Sequence, residues 1–139
     1  MSSGNEGGSK DGIKVNKEEL RKKIIEALKR VYDPEIPINV WDLGLVYGLE
    51  ISDDGVVKLT MTLTAPGCPV ANMIVYQAAS AIASIEGVKD VDVELVYEPP
   101  WDPTKMTEEG RRRFREIYGY DIVEEYLRAK KLQEQQGKG

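Results

Sequence analysis

Between residues 45 and 96 the spacing of apolar residues changes from two to helical and back to two, which limits the folds open to the chain more than any other feature. Leu45, Tyr47, Leu49 and Ile51 alternate with other residues, as do Val57, Leu59, Met61 and Leu63, and Asp53-Asp54-Gly55 lies between the runs. Such alternation around a turn sequence reads as a β-hairpin. For both apolar sets to lie on one face, Ile51 must oppose Val57 and Leu45 must oppose Leu63, leaving a three-residue loop with Gly55 in the left-handed position. The same register sets Gly44 opposite Thr64 and Asp42 close to Pro66.

A helix is predicted over 70–86, closed by Gly87, then a third strand over 88–96 with Val91, Val93 and Leu95 inward and Asp90, Asp92 and Glu94 outward. Strand, helix and strand in one sheet form a right-handed crossover, so the third strand runs parallel to the second. Lys58, on the neighbouring outer face, is placed to meet one of those acids. Because the 70–86 helix is apolar nearly all round, it is expected to be covered by the sheet and by the C-terminal segment or another subunit.

Asn16 and Glu19 make a capping-box-like start for a helix over 17–31, with Leu20, Ile24, Ile25, Leu28 and Val31 at helical spacing, ended by Asp33-Pro34. Residues 33–44 read as a loop. Residues 97–106 read as a proline-rich connection in which Trp101 is an anchor to the core. Thr107 caps a helix through about 117, and a last amphipathic helix covers about 120–133. The expected fold is therefore α/β (α+β): a small two-layer α-β-β-α-β domain with a three-stranded mixed sheet, plus C-terminal helices. Its expected divisions are a flexible Gly/Ser-rich tail over 1–15, the domain over 16–117 and a helical extension over 118–139.

The 139 residues, 41% of them apolar, suit one domain with a core of its own. With no apolar run long enough for a bilayer and no signal-like start, the chain is expected to be soluble, without membrane contact and cytoplasmic. Residues 31–104 carry two Lys/Arg against twelve Asp/Glu, which argues against a nucleic-acid surface there.

The chain has no histidine and one cysteine, Cys68. A Ser-His-Asp triad, a Cys-His dyad, a His-ligated zinc site, an internal disulfide and a four-thiolate cage are thereby excluded within one chain. Cys68 follows Gly67 and precedes Pro69 where a strand gives way to a helix, and a helix N-terminus favours the thiolate, the form that ligates metal or attacks as a nucleophile. The derived register brings Asp42 and the Thr64 hydroxyl to that corner, and Glu35 lies in the loop leading there. For Asp33 and Asp42, loop capping and a functional role stand equally open.

Asp-Pro-Glu at 33–35, Asp-Leu-Gly at 42–44, Leu-Thr-x-Pro-Gly-Cys-Pro at 63–69 and Pro-Pro-Trp at 99–101 occur in that order. Together they resemble the SufT/PaaD-like metal-sulfur cluster biosynthesis family, related to a subunit of the eukaryotic cytosolic iron-sulfur targeting complex, over about residues 17–117. The resemblance implies an accessory, non-enzymatic role in iron-sulfur cluster assembly or delivery to client proteins. It assigns the signature cysteine to Cys68, acidic positions to Asp33, Glu35 and Asp42, and the strand-end threonine to Thr64. In that reading Cys68, Glu35 and Asp42 bind iron or a cluster, with Asp33, Thr64, Gly67 and Pro69 in support. A cluster generally takes four thiolates or close substitutes and one chain supplies one. The others must come from a homodimer partner, oxygen ligands, a small thiol, or a client or carrier, so the cargo is expected to be transient and shared. No phosphate loop occurs, so any nucleotide chemistry belongs to a partner such as a P-loop ATPase carrier. The family's aromatic acyl-CoA oxygenase branch typically carries a further cysteine, absent here. An interaction adaptor is the alternative, and a thiol enzyme a distant third.

Overall fold

The computed structural model describes residues 16–64 and 71–137, so the tail expected over 1–15 lies outside the described residues. The first helix, α1 (Lys17–Leu28), starts as its spacing predicts: Asn16 Oδ1 accepts from the Glu19 amide at 3.1 Å, and Leu20, Ile24, Ala27 and Leu28 are buried. It stops three residues before the expected 31. The Val31 carbonyl accepts from the Val40 amide at 2.8 Å and a Tyr32–Asn39 bridge folds the chain back, so the backbone there serves a loop rather than another helical turn.

Strands β1 (Val46–Ile51) and β2 (Val56–Met61) form the expected hairpin, with Ile51 opposite Val57 and Leu49 opposite Leu59. The Ser52 amide donates to the Val56 carbonyl at 2.9 Å, and Gly55, at φ 93°, takes the left-handed position of the three-residue loop. Beyond Gly48 the register departs from expectation. A bulge at Tyr47 sets Val46 opposite Met61, and the Thr62 amide donates to the Leu45 carbonyl at 2.8 Å, so Leu45 aligns with Thr62 and not with Leu63. Strict alternation omits the extra residue because it ignores what Tyr47 does instead. Its hydroxyl donates to the Pro99 carbonyl at 2.8 Å and its ring lies 5.3 Å from the Lys105 ammonium. The predicted pairing of Gly44 with Thr64, and with it the approach of Asp42 to Pro66, rested on unbroken alternation; Pro66 lies outside the described residues.

Strand β3 (Asp90–Leu95) pairs parallel to β2, Val57 with Val91 and Leu59 with Val93, completing the order β1-β2-β3. Lys58 stands in register between Glu50 and Asp92 on the outer face, as its position predicts. Val57, Leu59 and Met61 point inward and pack with Ile24 and Leu28 of α1 and Ile74, Ala78 and Ile82 of α2 (Ala71–Ala83), which makes the two-layer α+β domain with its three-stranded mixed sheet.

The surroundings of α2 answer part of the expectation: within the chain it is covered by the sheet and α1, not by the C-terminal helices. Although apolar nearly all round, α2 packs on α1 and β3, and Met73 and Tyr76 are 57% and 69% exposed. Helices α3 (Glu108–Tyr118) and α4 (Ile122–Gly137) pack on each other, and α4 on a 3₁₀ turn at Pro103–Lys105. They stay there because residues 101–107 are pinned to the loop before β1, as described below.

Candidate functional site

The loop from Tyr32 to Gly44 is built around two buried carboxylates. Asp33, 4% exposed, accepts from the amides of Glu35 at 2.8 Å and Ile36 at 2.9 Å through Oδ1, an Asx turn that Pro34 completes. Loop capping is thus one role of Asp33. Its Oδ2 faces the Thr64 hydroxyl at 3.4 Å, a long and weak bond that leaves this oxygen with acceptor capacity to spare. Thr64 lies just past β2, four residues before Cys68 in the chain. Glu35 projects from the same turn into solvent.

Asp42, 6% exposed, is committed elsewhere. Its Oδ2 accepts from the Asn39 amide group at 2.9 Å, its Oδ1 accepts from the Thr107 hydroxyl at 2.7 Å, and its carbonyl accepts from the Thr107 amide at 2.9 Å. The neighbouring Leu43 carbonyl accepts from Trp101 Nε1 at 2.6 Å, which makes Trp101 the anchor its proline-rich setting predicts. Gly44, at φ 78°, runs so close to Lys105 that an added Cβ would overlap the Lys105 carbonyl. Each residue of the Asp-Leu-Gly motif therefore holds part of the segment leading to α3. Thr107 Oγ1 also accepts from the Gly110 amide at 3.0 Å, so one hydroxyl both caps α3 and ties it to Asp42.

Of the residues singled out from sequence, the structure brings Asp33 and Thr64 together, keeps Glu35 on the adjoining turn, and joins Asp42 to Asn39 and Thr107. Cys68, Gly67 and Pro69 lie outside the described residues. Among the described residues no three His, Cys, Asp or Glu side chains gather as a metal site requires. The partnership of Asp42 with Thr107 escapes sequence reasoning because the two are 65 residues apart; the one signal was Thr107 as a helix cap. Nearby, burial pushes the Tyr47 phenol, which donates to Pro99, above its usual range, with Asp102 and Glu98 adding to the effect.

Residues 21–95, which include the acidic turn, the strand end and the Pro-Gly-Cys-Pro sequence, match the family model of the iron-sulfur cluster assembly proteins. The chain belongs to the iron-sulfur cluster assembly protein family. An Fe-S protein maturation auxiliary factor of Porphyromonas gingivalis is 48% identical over 87 residues, which span 63% of this chain and 83% of that protein. The factor YitW of Bacillus subtilis, of the same description, is 43% identical over 90 residues, 65% of this chain and 88% of the relative. The crystal structure of a domain of unknown function from Bacillus anthracis superposes with a TM-score of 0.64 at 30% identity, covering 69% of this chain and 92% of that one. The resemblance read from the motifs thus holds. The family match ends at Leu95, so Trp101 and Thr107, which clamp the Asp-Leu-Gly turn of this assembly protein, lie beyond it. Among the described residues no helix is long and apolar enough to cross a membrane.

Proposed function

We propose that the chain is a non-enzymatic accessory factor that helps assemble iron-sulfur clusters or deliver them to client apoproteins, with Cys68 as thiolate ligand or transfer residue. The observation that carries this reading is the buried Asp33 carboxylate, whose Oδ2 faces Thr64 just past β2, four residues before Cys68 in the sequence. Iron accepts both thiolate and carboxylate donors, and an oxygen held by a preformed turn adds little ordering cost to binding. Asp33, whose partner Thr64 stands four residues before Cys68 in the sequence, is therefore the carboxylate proposed to share cargo with Cys68, and exposed Glu35 offers a second oxygen on the same turn. Asp42, tied to Thr107 and Asn39, holds the loop in place. The cargo is substrate, bound transiently and completed by ligands from a second copy, a client or a carrier. The names of the maturation factors similar to this chain support that role, and the work is proposed to take place in the cytoplasm.

Anaerobic incubation with iron and sulfide, followed by addition of an apo-ferredoxin, tests the reading. Wild type is expected to raise the rate of cluster appearance on the acceptor, Cys68→Ala to abolish the increase, and Asp33→Asn to reduce it. Asparagine keeps the Asx turn, because its carbonyl still accepts from Glu35 and Ile36. An increase unchanged in Cys68→Ala would overturn the proposal.

A further inference from the structure

A groove of about 600 Å³ runs along the seam of α1 and α2, and a second hollow of about 340 Å³ continues it; the two share Ala27, Arg30, Ala81 and Ser84. Apart from Arg30, which stands on the rim, the shared residues carry small side chains and form the floor. The α1 rim carries Lys22, Lys23 and Arg30, all exposed and without a carboxylate partner among the described residues. The acid on that rim, Glu26, lies 4.0 Å from Lys29. The opposite wall, α2, has no charged residue along Ala71–Ala83. One end of the groove opens at Tyr32, Asp33 and Tyr76.

We propose that this groove binds an acidic amphipathic helix of a partner protein. A floor of Ala and Ser lets a helix backbone approach closely, and Ile85 at the far end offers an apolar contact. Acidic side chains on the α1 side then meet Lys22, Lys23 and Arg30, and nothing on the α2 wall repels them. The rest of the molecule sharpens the choice. Residues 31–104 hold two Lys/Arg against twelve Asp/Glu, so an acidic partner is repelled by most of that surface and steered to the α1 rim. A second copy offers α4, but there the three acids Glu124, Glu125 and Glu134 are balanced by Arg128, Lys130 and Lys131, which gives no net complement. A nucleic acid would meet cations on one wall only, beside an acidic surface. The groove's open end at Asp33 sets such a partner beside the proposed cargo corner. Only the nature of the partner, a client or carrier, rests on the proposed function; the groove chemistry does not.

The test titrates the full chain, labelled with ¹⁵N, with two synthetic helical peptides of about 12 residues, the length of α1. They share a Leu/Ala stripe and differ in carrying Glu or Lys elsewhere. The Glu peptide is expected to shift the amides of Ala27, Arg30, Ala81 and Ser84 and to bind more weakly as salt rises. K22E/K23E/R30E, which alters only exposed side chains, should weaken it about tenfold or more. Ser84→Trp should block it by filling the floor while leaving the charges in place. Equal binding of the Lys peptide, shifts centred elsewhere, or unchanged affinity in both variants would overturn the proposal. So would a single-stranded oligonucleotide that binds the groove more tightly than the Glu peptide, or a dimer whose interface protects these amides. Cys68→Ala should bind the peptide like wild type, which separates failure of the groove from failure of the cargo site.

Discussion

Replacing Gly110 by alanine sets helix propensity against tertiary fit, and the two give opposite signs. Gly110 lies in the first turn of α3, where alanine should stabilise an isolated helix by about 1 kcal/mol. In the folded chain the added Cβ would overlap the Asp42 carbonyl oxygen, lying 2.9 Å from its carbon and 3.2 Å from the Asp42 Cβ. The obstacle is backbone, so α3 must move away. Moving it stretches the Thr107 amide bond to the Asp42 carbonyl, at 2.9 Å, and the Thr107 hydroxyl bond to the Asp42 carboxylate, at 2.7 Å. A neutral bond contributes about 1 kcal/mol and one to a charged group about 2 kcal/mol. Against these about 3 kcal/mol the propensity gain recovers about 1, so Gly110→Ala should destabilise by about 2 kcal/mol. Urea unfolding followed by circular dichroism and tryptophan fluorescence measures it. In a Thr107→Ala background the hydroxyl bond is already gone, so the loss of the amide bond, about 1 kcal/mol, is offset by the propensity gain and the same substitution should change stability by close to zero. Equal or greater stability for Gly110→Ala would show that α3 is not held against Asp42.

Trp101→Phe keeps a ring in place but leaves the Leu43 carbonyl without its indole donor; urea midpoints should fall by an amount equivalent to about 1–2 kcal/mol. The Arg111 guanidinium hydrogen-bonded to Asp121, with the Val123 and Glu124 amides, lowers that carboxyl to about 2 from an ordinary value near 3.8. A depressed carboxyl contributes stability that is complete above its unfolded value and lost as pH falls through its folded one. The α3–α4 junction should therefore loosen between about pH 4 and pH 2. Amide exchange at Val123 and Glu124 reads this out, and Asp121→Asn should remove the pH dependence along with the stabilisation. Asp33→Asn should leave the melting temperature close to wild type while lowering cluster transfer, whereas Asp42→Ala should lower the melting temperature by several degrees, measured by scanning calorimetry, through its lost bonds to Thr107 and Asn39.

The secondary structure was legible wherever a local cause sufficed: Asn16 capping α1, Gly55 turning the hairpin, Thr107 starting α3, and the crossover from β2 through α2 to β3. Legibility failed at Tyr47, where a bond to Pro99 across 52 residues accompanies a bulge that no alternation pattern contains. The site divided in the same way. Asp33 caps its own turn through amides two and three residues on, which a Asp-Pro-Glu sequence announces. Asp42 stands in an equally conspicuous motif, but while Asn39 is three residues away, its other partner, Thr107, lies 65 residues on, and no local pattern announces that bond.

By itself the sequence determined the order and type of the helices and strands, the family and the presence of a single thiol, because each follows from short-range spacing or residue identity. Tertiary structure decided which acid meets Thr64, where the C-terminal helices pack and that α2 keeps Tyr76 and Met73 exposed beside a basic-rimmed groove. The packing of the C-terminal helices depends on backbone surfaces meeting at Gly44 and Gly110, on a hydroxyl reaching a carboxylate 65 residues away and on an indole finding a carbonyl 58 residues away, and Asp33 meets Thr64 across 31 residues. Such contacts exist only once distant segments are packed together.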